Sequence, residues 1–199
     1  MDRILNGMYK PGDRLLELQI AREMNTSQGP VREALRDLEG LGFIQSQAYK
    51  GSRVRALSER ELKESYQVRA VLEELACQLA PPNVKEQIKL LEREAAIILK
   101  AANAADRKTY AAHDLVFHKT IVEASGNNIL LSMWESVVLE SRLRLAISRI
   151  SDDDLIKNAK MHMAVIEALK KAQGKSAGKL LREHVEFAYA CCSKTGRAD

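Results

Sequence analysis

The sequence is poor in the features that mark exported, membrane-bound or disordered chains. No run of about 18 apolar residues occurs, so no stretch is long enough to span a bilayer as a helix, and no apolar signal core follows Met1. Only three cysteines are present, Cys77, Cys191 and Cys192. An odd number with two adjacent builds no disulfide framework and fits a reducing, cytoplasmic setting. Cys77 reads as a small core residue and the C-terminal pair as incidental. Aromatics make up 5% of the chain and prolines number four, which leaves aliphatic stretches that lean helical. A dominant charge is missing too: 31 basic and 27 acidic side chains leave +4. That balance is compatible with nucleic acid without demanding it, and the basic residues are interspersed rather than gathered in a tail. No repeat or low-complexity segment stands out. What remains is 199 residues, 46% hydrophobic and 29% charged, a globular composition sufficient for one large domain or two small ones.

The stretch from Ser27 to Ile44 organises the first third. Ser27 is an N-cap candidate, Pro30 sits where a first helical turn tolerates it, and Gly40 and Gly42 are stop signals. Val31, Ala34, Leu35, Leu38 and Leu41 recur at helical spacing and predict an inward face; Gln28, Arg32, Arg36 and Asp37 fall on the other side. Before it, Lys10-Pro11-Gly12-Asp13 has turn chemistry, and Leu15 to Met24 reads as a helix with Leu15, Leu18 and Ala21 inward, broken at Asn25-Thr26. After it, residues 45–55 read as a hairpin turning at Gly51. Helix, turn, helix, hairpin is the winged-helix order, with an Arg-bearing helix N-terminus placed to read DNA.

These residues resemble the winged-helix domain of the GntR family of bacterial transcription regulators. The resemblance rests on Gly7-x-Tyr9-x-Pro11-Gly12-x-Arg14-Leu15-x-Glu17-x-x-Ile20-Ala21, on Ser27-x-x-Pro30-Val31-Arg32-Glu33-Ala34-Leu35-x-x-Leu38-x-x-x-Gly42-Phe43-Ile44, and on Gly51-x-x-Val54. It implies sequence-specific binding of double-stranded, palindromic operator DNA by a homodimer. The contacts it implies are Ser27, Gln28, Gly29, Arg32 and Arg36 in the major groove, with Lys50 and Gly51 on the wing. Elementary chemistry agrees: an Arg at position 32 can reach guanine O6 and N7 in bidentate fashion, worth roughly 1–3 kcal/mol of base discrimination, and the amides at Gln28-Gly29 suit phosphate. The family usually has Arg where Gln28 stands, so that contact is expected to weaken or to favour adenine. Only six residues precede Gly7, so the first helix is expected to be short or the natural start to lie upstream.

Residues 57–60 read as a linker between a domain at 1–56 and one at 61–199. Ser58 and Glu61 form a Ser-x-x-Glu capping box, and helices are predicted over 62–80, ended by Pro81-Pro82, then 84–102, 107–124, 128–149, 152–173 and 176–193. Short connections and no convincing strand predict an antiparallel all-helical bundle, so the whole is mostly α. Asp114 and His118 are four apart and share a helix face. With His162 and His184 they make an adequate set for a divalent ion. Spacing alone leaves open that each is an ordinary packed or surface histidine. His113 reads as a surface residue and Asn127 as a helix cap.

Asp114-x-x-Phe117-His118, Ala124-Ser125-Gly126-Asn127, His162-x-x-Val165-Ile166-x-Ala168-Leu169 and Ala177-x-x-x-Leu181-x-x-His184 resemble the effector domain of the FadR subfamily, the FCD domain, whose opening Val68-Arg69-x-x-Leu72-Glu73 matches. The resemblance implies a metal held by Asp114, His118, His162 and His184, zinc before nickel or manganese, and a small organic acid bound nearby. For that carboxylate Arg69 and Arg142 are the candidate partners, with Arg144 next. The resulting expectation is a ligand-controlled regulator, a repressor rather than an enzyme, without catalytic residues. A metal-sensing regulator is the alternative, and a metal-dependent enzyme a remote third, since no general base accompanies the ligands.

Overall fold

The computed structural model describes residues 2–5, 8–40, 42–47, 51–55, 58–142 and 150–194. The chain forms two compact units, one built on Met1–Leu62 and one on the helices that follow. In the first, the order is α1 (Asp2–Leu5), β1 (Arg14–Leu15), α2 (Glu17–Glu23), α3 (Gln28–Gly40), β2 (Ile44–Gln47) and β3 (Gly51–Val54). The three strands make an antiparallel sheet in the order β1-β3-β2, with Arg14 opposite Arg53 and Gln47 opposite Gly51. Ile4, Leu15, Ile20, Ala21, Val31, Leu35, Phe43, Ile44 and Val54 form its buried core.

Two expectations change here. Leu15 belongs to a strand, and α2 begins only at Glu17. The cause is the Pro11-Gly12 turn, with Gly12 at φ +91°: the Gly12 amide donates to Val54 O and the Val54 amide to Asp13 O, which draws this segment onto the sheet edge. The later start rotates Leu18 outward, where it is 50% exposed. Ala34 is exposed as well, because the inward stripe of α3 is carried by Val31 and Leu35 with Leu38 at its margin. Leu41 lies outside the described residues. The ends are as read. Asn25, at φ +50°, closes α2, and beyond α3 the Phe43 amide donates to Leu38 O after Gly42 at φ +75°.

The second unit is helical: α4 (Glu59–Leu79), a 3-10 turn at Val84–Gln87, α5 (Ile88–Asn103), α6 (Arg107–Ala124), α7 (Asn128–Arg142), α8 (Asp152–Lys170) and α9 (Gly174–Lys194). The caps are chemical. Ser58 and Glu61 exchange hydrogen bonds at α4, Asp106 accepts from Thr109 N at α6, Asn127 from Leu130 N at α7, and Ser151 from Asp154 N at α8. All three cysteines are buried. The helix expected over 84–102 is split by the 3-10 turn, and residues 143–149 of the one expected over 128–149 lie outside the described residues.

The last boundary also moves. Gly174 opens α9 instead of preceding it, while Ala172 at φ +53° carries the turn. A Cβ on Gly174 would stand 2.8 Å from Cys77 O, and one on Gly178 2.6 Å from Glu74 O. Two glycines one helical turn apart therefore let the α9 backbone lie directly on α4, and Arg182 fastens the pair 3.0 Å from Glu74.

Candidate metal centre and reading helix

Each predicted ligand sits on the core stripe of its helix. On α6 the buried residues include Tyr110, Asp114, Phe117, His118 and Ile121, on α8 Ala159, His162, Val165 and Ile166, and on α9 Leu181, His184 and Val185. A titratable side chain at such a position must find a partner or stay neutral. The fold brings all four to one place: Asp114, His118, His162 and His184 offer ligand atoms within 4.8 Å of one another, every one buried. From Asp114 Oδ1 the Nε2 atoms of His162, His118 and His184 lie at 3.2, 3.6 and 4.0 Å, and His118 Nε2 is 3.2 Å from His184 Nε2.

Those spacings match what a small divalent ion needs, because bonds of about 2.0–2.2 Å at tetrahedral angles set neighbouring ligand atoms roughly 3.3–3.5 Å apart. Asp114 Oδ1 and His162 Nε2 are buried with no hydrogen-bond partner among the described residues. The tautomers agree: His162 Nδ1 donates to Ala159 O at 3.0 Å and His118 Nδ1 to Glu73 Oε2 at 2.6 Å, which leaves both Nε2 lone pairs facing inward. Burial and the neighbouring His162 and His118 hold His184 well below the usual histidine range, so it is neutral. Burial alone would push the Asp114 carboxyl up, but His118 and His162 outweigh it and keep it ionised. His118 goes the other way, because Glu73 and Asp114 overcome its burial and raise it. A ligand set of three imidazoles and one carboxylate suits zinc, with nickel or manganese also accommodated.

Around this set stands a layer that spacing did not reveal. Glu73 is fully buried; its Oε1 accepts from Arg69 Nε at 2.6 Å and Trp134 Nε1 at 2.7 Å, its Oε2 from His118. Its signals in the sequence were a glutamate in phase with the apolar positions of α4 and its place in the Val68-Arg69-x-x-Leu72-Glu73 match, neither of which named its partners. Arg69, expected to meet an effector carboxylate, does stand at the site. Its Nε is committed to Glu73, and its Nη2 edge lies 3.9 Å from Asp114 Oδ2. One turn before each of two ligands, Asn158 donates to Tyr110 OH at 3.1 Å and keeps a buried, unpartnered Oδ1. The side chains of Arg142 and Arg144 lie outside the described residues. His113 is more than a surface residue: it is half-buried, 2.6 Å from the buried Glu94.

In the first unit, Ser27, Gln28 and Gly29 are exposed at the start of α3, with nothing within 4 Å of where a Gly29 Cβ would be. Arg36 is open to solvent beside Glu33 at 3.6 Å. Arg32 is held by Glu17 of α2 at 2.9 Å, a partner that sequence reasoning did not assign. Gly51 has φ +78°, a conformation that L side chains rarely adopt, with the Arg14 guanidinium beside it. Lys50 lies outside the described residues.

Comparison with known proteins gives the same division. Residues 1–54 match the family described as "Bacterial regulatory proteins, gntR family" and residues 64–187 match the FCD domain. The chain is 34% identical to the probable D-xylose utilization operon transcriptional repressor of Paenarthrobacter nicotinovorans, over 92% of this chain and 80% of that protein. It is 29% identical to the gluconate operon transcriptional repressor of Bacillus licheniformis, over 84% and 71%. Among solved structures, Escherichia coli McbR/YncC superimposes with a TM-score of 0.85 at 23% identity, covering 98% of this chain and 93% of that one. The metal-free FCD domain of TM0439 superimposes with a TM-score of 0.59 at 20% identity, over 72% and 99%.

Proposed function

The chain belongs to the gntR family of bacterial regulatory proteins and carries an FCD domain, and from that premise we propose a metal-dependent repressor whose grip on operator DNA is set by a small organic acid. The chain is a transcriptional regulator; the ion, the acid and the direction of control are our reading. One observation carries it: four buried ligand atoms from three helices gathered within 4.8 Å, two of them with no other partner. In this reading residues 1–56 bind DNA, 57–60 link, and 61–199 hold the ion and the effector.

Asp114, His118, His162 and His184 would hold zinc in preference to nickel or manganese. Bound there, the ion supplies a positive Lewis-acid centre for a carboxylate. The residues supply the rest. The Arg69 edge beside Asp114 offers charge to the acid, and the spare Asn158 Oδ1 offers an acceptor to a hydroxyl. Relatives named for D-xylose and gluconate operons support an acid drawn from carbon-source breakdown, and their names support repression.

Ser27, Gln28, Gly29, Arg32 and Arg36, with Lys50 and Gly51, are the proposed contacts to a palindromic operator, read by a homodimer. Val68, Val71, Leu75 and Leu79, exposed at helical spacing along α4, supply an apolar surface for the second copy. Control then requires that the acid prefer one of two dimer arrangements.

The test is a thermal-shift screen of small organic acids on the full chain, with and without chelator. A ligand at about a hundred times its dissociation constant adds roughly 2.7 kcal/mol of stability. A shift with one acid, abolished by chelator, is the expected result. No shift with any carboxylate removes the effector from the reading. Operator binding that follows added zinc with no acid present would replace it with the metal-sensing alternative.

A further inference from the structure

Glu73 has no place in the ligand set, yet both of its carboxylate oxygens are engaged. It lies on α4, and its three partners come from three places: Arg69 one turn earlier on α4, His118 on α6 and Trp134 on α7. The two oxygens are divided between tasks. Oε1 takes Arg69 and Trp134, at 2.6 and 2.7 Å, and is pinned from two directions. Oε2 is thereby aimed at His118 Nδ1 at 2.6 Å. The residue is wholly buried, where an unpaired carboxylate would cost several kcal/mol. The Arg69 guanidinium, 2.6 Å away and also buried, supplies the opposite charge.

The three imidazoles differ in what braces them. His162 Nδ1 donates to a backbone carbonyl, and His184 Nδ1 has no hydrogen-bond partner among the described residues. His118 alone is braced by a full negative charge. A carboxylate behind a ligating imidazole fixes the ring and its tautomer, and makes the distal nitrogen more basic. The same carboxylate is also the acceptor for the chain's one tryptophan.

We propose that Glu73 is the positioning residue of the metal centre: it presents His118 Nε2 to the ion and, through the shared carboxylate, ties occupancy of that site to Trp134 and hence to α7. The proposal rests on the metal reading above. It adds that α7 senses the centre, although α7 contributes none of its four ligands. Trp134 is also a built-in reporter, since its indole N–H bonds the atom group that braces the ligand.

The experiment uses the full chain stripped with chelator and titrated with zinc alone. Occupancy is followed by competition with a chromophoric chelator, and Trp134 by its emission. In the wild type the emission is expected to change in proportion to occupancy. Glu73→Gln is expected to weaken zinc binding about 10–100-fold and to uncouple the emission from it. Trp134→Phe removes the other bond to Glu73 but leaves the brace on His118. It should bind zinc within a few-fold of wild type even if its melting temperature falls as far as that of Glu73→Gln. This contrast separates positioning from general loosening of the core.

Glu73→Gln leaves Arg69 without its charge partner, so Arg69→Met/Glu73→Gln serves if the single variant fails to fold, with the same loss expected. Wild-type emission that ignores bound zinc overturns the tie to α7. Zinc binding as tight in Glu73→Gln, or in the double variant, as in wild type overturns the positioning role. Both results leave the metal site standing. Absence of zinc from wild type itself overturns the site, and the proposal with it.

Discussion

Polar residues in core positions carry the chemistry of this protein, and their cost shows where pH must act. Glu73 is held down to about 2 and Asp114 well below its usual range, so the native state binds fewer protons than the unfolded chain in acid. Stability from these carboxylates is therefore present above about pH 4.5 and lost as pH falls toward 2. Acid unfolding of the metal-free chain, followed by circular dichroism, should have its main transition in that window. Zinc should leave earlier, as pH falls through the histidine range, because protons compete with the ion for the ligating imidazole nitrogens. On α3, Arg32→Ala should cost roughly 1–3 kcal/mol of binding to a duplex selected by the wild type, and relax its base preference. Gly29→Ala meets nothing within the chain. Its stability should be unchanged, so any loss of binding reports contact with the duplex. Gel-shift or anisotropy titration checks both. The four candidate ligands were legible through the FCD resemblance, because a charged or imidazole group in phase with an apolar stripe is by itself open to an ordinary packed reading. Glu73 showed the same mark, but its partners at His118 and Trp134 are 45 and 61 residues away, a distance no spacing rule reaches.

At the level of elements, helix ends were readable and helix contacts were not. Ser58 and Asn127 cap the helices they were expected to cap, because a cap is a contact between near neighbours. Leu15, in the strand Arg14–Leu15, was read as helix since its reason for being extended, the bonds between residues 12–13 and Val54, comes from forty residues downstream. Gly174, which falls between the helices expected over 152–173 and 176–193, proved to be part of a close-packed pair with Gly178. That pairing sets the depth of α9, and with it the reach of His184. Gly178→Ala, whose Cβ would press on Glu74 O, should destabilise the chain by about 1–3 kcal/mol and weaken zinc binding although no ligand is changed. Parallel thermal and zinc titrations of the variant check both effects. Zinc affinity equal to wild type would mean that His184 does not depend on the α4–α9 approach.

For the whole molecule, the sequence already implied a winged helix followed by a helical bundle, and the family assignment of residues 1–54 and 64–187 agrees. What a regulator adds is assembly and control. The exposed α4 residues Val68, Val71, Leu75 and Leu79 form too regular a stripe to be scattered surface apolars. Leu75→Glu should therefore convert a dimer to a monomer in light scattering while leaving the helical content unchanged. In the proposed reading control runs through the buried centre, so the most direct measurement is native mass spectrometry of the full chain after incubation with zinc and exchange into ammonium acetate. The account predicts one ion per chain in the wild type and none in His162→Ala. A wild-type chain that carries no ion, or a His162→Ala chain that keeps one, would contradict it.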